Sequence, residues 1–189
     1  MIKTIIIDDP PLCSLEFLMR QKIENLNIVL AVSHGILSTY QYDCKIATRS
    51  DIQQFCKSEY AVKVVNHSFN HNNFHRLTLN EKISDLKRNA KLLNRFYKDH
   101  FHDKDVFIVP RGKISLLDLL ILNSIGYKVF GTRKYKKPFG IFYRSRFALY
   151  EQSSLKNYES TAVTYTHDIR KNPSEFGVTP EKFIRWVTS

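Results

Sequence analysis

The sequence is short of the features that mark several familiar protein classes. Its 189 residues include only three cysteines, Cys13, Cys44 and Cys56. That is an odd number without metal-ligand spacing, and the three read as reduced thiols, as in a reducing compartment. No stretch approaches the roughly 20 apolar residues that a membrane-spanning helix needs. No secretory leader opens the chain. Met1-Ile2-Lys3-Thr4 runs straight into Ile5-Ile6-Ile7, and two aspartates follow at once. The expected location is the cytoplasm, with export the alternative if a leader has been trimmed. Tryptophan occurs once, as Trp186, and reads as core packing. There is no internal repeat, linker or low-complexity segment, so one domain over residues 1–189 is expected.

Acidic residues are the scarcer charge: 18 Asp and Glu stand against 29 Lys and Arg, a net charge of +11. The excess points to an anionic partner, such as a charged glycan, a lipid headgroup or nucleic acid, or to a merely solvated basic face. Basic residues gather in 133–137 and 144–146, with tyrosines between them. The segment 135–146 can form a glycan-stacking wall or pack an edge strand. No nucleic-acid motif is present, so nucleic acid ranks last among these partners.

What the chain does have is alternation. Short apolar runs at 3–7, 27–32, 61–65, 105–109, 127–131 and 161–165 alternate with helical patterns. Residues 14–25 put Leu15, Leu18, Met19 and Ile23 on one side. Residues 49–60 suit a short helix capped by Ser50. Residues 80–98 carry a stripe of Ile83, Leu86, Ala90, Leu93 and Tyr97. Residues 115–126 are apolar nearly all round, which predicts a buried helix stopped by Gly126. Residues 179–187 open with Thr179 as cap and Pro180 in the first turn. Such alternation argues for βα units around a parallel sheet.

In these folds the site lies at the C-terminal ends of the strands. Asp8-Asp9 follow the first run, His67 the third, Pro110-Arg111-Gly112 the fourth and His167 the last. His67 and His71 are four apart, so one helical turn after the strand would put both rings on one side. A neighbouring carboxylate would complete a two-His, one-carboxylate face suited to Zn²⁺ or a similar divalent ion. The second carboxylate of the Asp-Asp pair is then left as a general base. His34 is a candidate for the same rim. His75, His100 and His102 read as surface residues.

The order of these elements resembles the polysaccharide deacetylase family, the NodB-like domains of carbohydrate esterase family 4. Ile5 to Asp9 resembles its first motif, a strand ending in Asp-Asp, and His67-Ser-Phe-Asn-His71 its second. Phe107 to Gly112 sits where the third is expected, and Thr164 to Asp168 resembles the closing one, an apolar strand ending in His. The resemblance implies a distorted, incomplete (β/α) barrel and a metal-dependent sugar deacetylase. It implies Asp8 as base, Asp9, His67 and His71 as metal ligands, the backbone N–H of Arg111 at the oxyanion, and His167 as acid. The implied substrate is an acetylated carbohydrate, anionic or lipid-linked as alternatives, carrying N-acetyl or, less expectedly, O-acetyl groups. The chain departs from the pattern at Ile108, where the family has an arginine paired with the catalytic aspartate, and at Val109, where it has proline. The acidic fourth motif is not visible between 131 and 160. These departures motivate an alternative, a catalytically impaired glycan- or headgroup-binding protein on the same fold.

Overall fold

The computed structural model describes residues 2–41, 43–102, 106–112, 114–132, 143–148, 163–175 and 177–189. The strands in chain order are β1 (Lys3–Asp8), β2 (Leu26–Val32), β3 (Tyr40–Gln41), β4 (Cys44–Lys45), β5 (Ala61–Asn66), β6 (Val106–Ile108), β7 (Lys128–Thr132), β8 (Tyr143–Ala148) and β9 (Val163–Thr166). The main sheet has the order β1-β2-β5-β6-β7-β8-β9, and β3 and β4 form a separate two-stranded sheet. Pairings β5–β6, β6–β7, β7–β8, β8–β9 and β9–β1 are all parallel. This is an incomplete (β/α) barrel, with seven strands among the described residues where a complete one has eight. The tyrosine-rich basic segment expected at 135–146, and the stretch searched for the fourth motif, fall largely outside the described residues.

The described chain falls into two compact units. The first comprises Met1–Leu30, Leu37–Lys63 and Phe147–Ser189. In it, β1 presents Ile5, Ile6 and Ile7, all buried, as expected of a strand covered on both faces. Helix α1 (Leu12–Arg20) buries Leu15 and Leu18 but leaves Met19 exposed, and Ile23 lies beyond its end. The expected four-residue stripe is therefore two residues deep. Helix α2 (Arg49–Phe55) is capped by Thr48 rather than Ser50. Thr48 accepts from the Asp51 N–H, and Asp51 accepts from the Thr48 N–H, a reciprocal capping box. The last helix, α5 (Pro180–Thr188), has Thr179 as cap and proline at its first position, as expected. Trp186 and Phe183 are buried, and the Lys3 ammonium lies 5.4 Å above the Trp186 ring while donating to Ser189 Oγ. That contact lets a nearly inaccessible lysine keep a partner for its charge.

The second unit comprises Ala31–Ile36 and Val64–Arg146. Its helix α3 (Leu79–Tyr97) opens with a Thr78/Glu81 capping box. Leu86, Ala90, Leu93 and Tyr97 are buried along one stripe, and Ile83 is half-buried at its margin. Helix α4 (Leu116–Ser124) is capped by Ser115. Gly126 follows at φ 98°, a left-handed position that suits glycine. The expectation of full burial fails for α4: Leu119 and Leu122 face the core, but Leu116, Leu117 and Leu120 are 42%, 65% and 48% exposed. Composition named the helix without naming a face, because leucine on every side carries no directional information. The core groups Phe74, Leu86, Phe107, Leu119, Leu122 and Tyr127 with Val109 and Val129. Beside it Lys82 and Asp118 form a 2.7 Å ion pair in which both side chains are nearly inaccessible.

Candidate metal centre and active site

Strand β1 delivers the carboxylates. It ends at Asp8, and Asp9 follows at φ 43°, in the left-handed region that Asp tolerates better than most residues. Both residues are 3% exposed. Strand β9 runs parallel to β1 with Thr166 opposite Ile7. One step further along that register sets His167 level with Asp8, at the ends of adjacent strands. Asp8, Asp9, Gln41, Cys44, His167 and Asp168 line one small pocket. The Asp168 carboxylate accepts from Arg170 Nε at 2.7 Å, from the Ser174 N–H at 3.1 Å and from the Ser174 hydroxyl at 2.5 Å. It thereby braces the loop that follows β9.

The imidazoles come from the turn after β5. His67 is buried and His71 is partly exposed, with its Nε2 shielded from solvent. The rings lie 5.0 Å apart between centroids, so they do project to one side. The expected helical turn is not what brings them together. Ser68 and His71 adopt φ 64° and 53°, and these two left-handed residues fold the five-residue turn. Such residues cost on the order of 1–2 kcal/mol each and persist only where the surroundings fix them.

Those surroundings are specific. Asp85 on α3 accepts from the Phe69 N–H at 2.7 Å and the Asn70 N–H at 3.4 Å. Asn66 accepts from the Ser68 N–H, and Asn89 donates to Asn66 and to the Val32 carbonyl. The Ser33 hydroxyl donates to the His67 carbonyl at 2.8 Å. His67 Nδ1 lies 2.8 Å from the carbonyl oxygen of Ile108. A carbonyl only accepts, so Nδ1 carries the proton and Nε2 presents its lone pair, the form a metal requires. The sequence reading missed Asp85, Asn66, Asn89 and Ser33. Asp85 and Asn89 sit on α3 like ordinary polar residues, and only its packing against the turn reveals them.

One ligand atom from each of Asp9, His67 and His71 lies within 4.8 Å of the others. Two imidazole nitrogens and a carboxylate oxygen at that spacing fit a divalent ion of the zinc type, which accepts such mixed sets and keeps positions open. Arg111 is exposed and left-handed at φ 56°, between buried Pro110 and Gly112. Asp9, His71 and Arg111 are thus three expected site residues that the fold holds in a disfavoured backbone region. His34 is partly buried. Its ring stacks on Phe96 at 5.5 Å, and its N–H donates to Asn89. His75 is exposed, as expected.

No family model and no curated protein sequence matches the chain. Solved structures do. A peptidoglycan N-acetylglucosamine deacetylase, Bc1960, superposes with a TM-score of 0.64 at 11% identity, over 98% of this chain and 80% of that one. The fold is that of the polysaccharide deacetylases. A chitin deacetylase from the fungus Colletotrichum lindemuthianum gives 0.63 at 15% identity, over 98% and 80%. A family 4 carbohydrate esterase from Streptomyces lividans, bound to acetate, gives 0.60 at 14% identity, over 98% and 83%. On this deacetylase fold, position 108 is occupied by a buried isoleucine on β6. What Ile108 supplies to His67 is its backbone carbonyl, which any residue there would offer. No helix among the described residues is long and apolar enough to cross a membrane.

Proposed function

We propose that this chain is a metal-dependent hydrolase that removes N-acetyl groups, or O-acetyl groups in a second-choice substrate, from a carbohydrate. Asp9, His67 and His71 hold the divalent ion, with zinc the metal best suited to the donor set. The observation that carries the reading is the approach of their three ligand atoms to within 4.8 Å. The similar structures named as deacetylases of peptidoglycan N-acetylglucosamine and of chitin support the substrate class. The basic excess is compatible with an anionic or lipid-linked sugar.

Amide hydrolysis needs an activated water, a stabilised oxyanion and a proton for the departing nitrogen. A divalent ion, when bound, acidifies water toward neutral pH and polarises the carbonyl. Asp8, next to the ligand Asp9, accepts the proton of the attacking water. The backbone N–H of Arg111 faces the developing oxyanion. His167, level with Asp8 at the end of β9, returns a proton to the leaving amine. His67 is held by the Ile108 carbonyl in the tautomer that leaves Nε2 for the metal.

The test is metal content together with acetate release. Protein stripped with a chelator should regain about one zinc per chain and release acetate from N-acetylglucosamine oligomers only when reloaded. Protein that cannot be loaded with zinc overturns the reading. The apolar side chain at 108 favours a second one, in which the same fold binds a glycan or headgroup without turnover. Zinc loading with no acetate released, and sugar binding unchanged in Asp8→Ala, would select it.

A further inference from the structure

The proposed chemistry leaves one wall of the Asp8/Asp9/His167 pocket unused, the wall that contains Cys44. Cys44 Sγ lies 2.8 Å from Cys13 Sγ, and both are free thiols. The backbone holds them there. Pro11 and Ile46 form an antiparallel bridge, and the Ala47 N–H donates to the Pro10 carbonyl at 3.0 Å. Cys13 and Cys44 lie two residues beyond that bridge, one on each of the tethered segments. Cys44 is fixed on β4 by its pairing with Gln41, and Cys13 lies in the first turn of α1. Bonded disulfide sulfurs sit about 2.0 Å apart, so the two thiols have less than about 1 Å left to close.

The two thiols also differ in character. The hydrogen bond from Cys13 is the largest influence on Cys44. With the nearby Arg170 guanidinium it outweighs burial and holds the Cys44 thiol down at about 7. Cys13 is pushed well up by the same bond and by burial. The Cys44 sulfur of the pair is therefore shifted toward the thiolate, the form that reacts with disulfides. Cys13 is partly exposed, which opens a path from solvent. Cys56 is the internal contrast: buried, and pushed up to about 12 by burial.

We propose that Cys13 and Cys44 form a reversible redox site, closed to an intramolecular disulfide by a small-molecule disulfide such as oxidised glutathione. One protein thiolate attacks a glutathione sulfur, breaking that S–S bond, forming a mixed disulfide and expelling one glutathione thiolate. The second protein thiolate attacks the cysteine sulfur of the mixed disulfide, forms the Cys13–Cys44 bond and expels the other glutathione. The protein gives up two electrons and two protons, and oxidised glutathione takes up both to become two thiols. The new bond ties the first turn of α1 to the β3–β4 hairpin and fixes the wall formed by Gln41 and Cys44. It reverses with excess reduced thiol.

The 189-residue chain, exposed to oxidised glutathione at neutral pH and then denatured, should show one free thiol in place of three. Peptide mapping by mass spectrometry should find Cys13 linked to Cys44 with the loss of two hydrogens, and Cys56 unmodified. The oxidised form should melt at a higher temperature, and dithiothreitol should restore all three thiols. C13S and C44S should lack the linked peptide and hold glutathione on the remaining partner. Three thiols still free, a link to Cys56, or glutathione retained on both Cys13 and Cys44 of the wild-type protein would each overturn the proposal. The wild-type thiol count stands even if a variant fails to fold. These readouts are independent of acetate release, so they stand or fall apart from the deacetylase reading.

Discussion

Strand β1 carries Asp8 and Asp9 to their places on buried isoleucines and a parallel partner, while the turn from His67 to His71 is tied down by side chains of the strand before it and of helix α3 after it. The first arrangement rests on sheet register, which the hydrophobic pattern specifies and a single polar substitution nearby does not shift. The second holds two left-handed residues in five, and is fixed by Asp85, Asn66 and Asn89. Parallel strands aim what comes directly after them, but a turn that presents two rings must be braced. Mutations should therefore separate the two sides. On the carboxylate side only the reacting residues should matter; on the imidazole side their supports should matter as well.

The largest effect expected is from the ligands. His67→Ala should abolish stoichiometric zinc binding and lower acetate release by about a thousandfold or more, because the stabilisation the metal supplies is lost outright. Metal analysis of the purified variant checks the first claim independently of activity. If His67→Ala retains full zinc occupancy, the two sides do not share an ion. Asp8→Asn comes next. It should keep zinc and fold while kcat falls by about 10² to 10⁴, the usual contribution of a positioned base. A fall in zinc affinity equal to that of the ligand variant would place Asp8 among the ligands instead.

Asp85→Ala probes the bracing directly. It touches no reacting group in the proposed mechanism, yet it should weaken zinc binding by about 10- to 100-fold, the range seen when partners of metal ligands are removed. Asp85→Asn, which can keep one acceptor toward the Phe69 N–H, should recover part of the loss. Zinc titration of both variants against wild type decides it. Unchanged affinity in Asp85→Ala would mean that the turn holds its own shape, and the contrast drawn above would lapse.

The same contrast explains what was legible in the sequence. Asp8, Asp9 and His167 could be read because each follows an apolar run, and a run that ends in polar residues marks a strand end. The incomplete barrel was legible for the same reason, repeated along the chain. The His67–His71 pair was visible as spacing, but the turn that unites it was not, since left-handed residues at Ser68 and His71 leave no periodic trace. Asp85 and Asn89 were invisible because their role depends on which turn α3 packs against. Met19 and the exposed leucines of α4 show the opposite failure, where hydrophobic residues are plentiful and burial does not follow. Ser50 is a cap candidate in the sequence because it stands beside the start of the helical pattern, but it lies inside α2, and only Thr48 precedes the helix. The Asp three residues beyond Thr48 is the signal that decides between them.

The smallest effect tests whether α3 braces the turn through Asp85 alone or through its overall stability. Thr78 caps α3, and its amide and then its hydroxyl donate to the Glu81 carboxylate, holding it below the usual range. Thr78→Ala should cost about 1 kcal/mol of stability at neutral pH, a typical loss for a removed cap. Zinc affinity and kcat should not change. A carboxylate whose folded pKa is depressed contributes its stability above the unfolded value. That contribution is lost as pH falls through the lower folded value. The hydroxyl remains one of the donors responsible, so the gap between wild type and Thr78→Ala should narrow below about pH 4.5, the reference value for this group. Urea unfolding across that range measures it. A gap that stays constant into acid would show that the hydroxyl acts on the helix N–H groups alone. A loss of zinc affinity at neutral pH would show that the turn depends on the whole first turn of α3 and not on Asp85 alone.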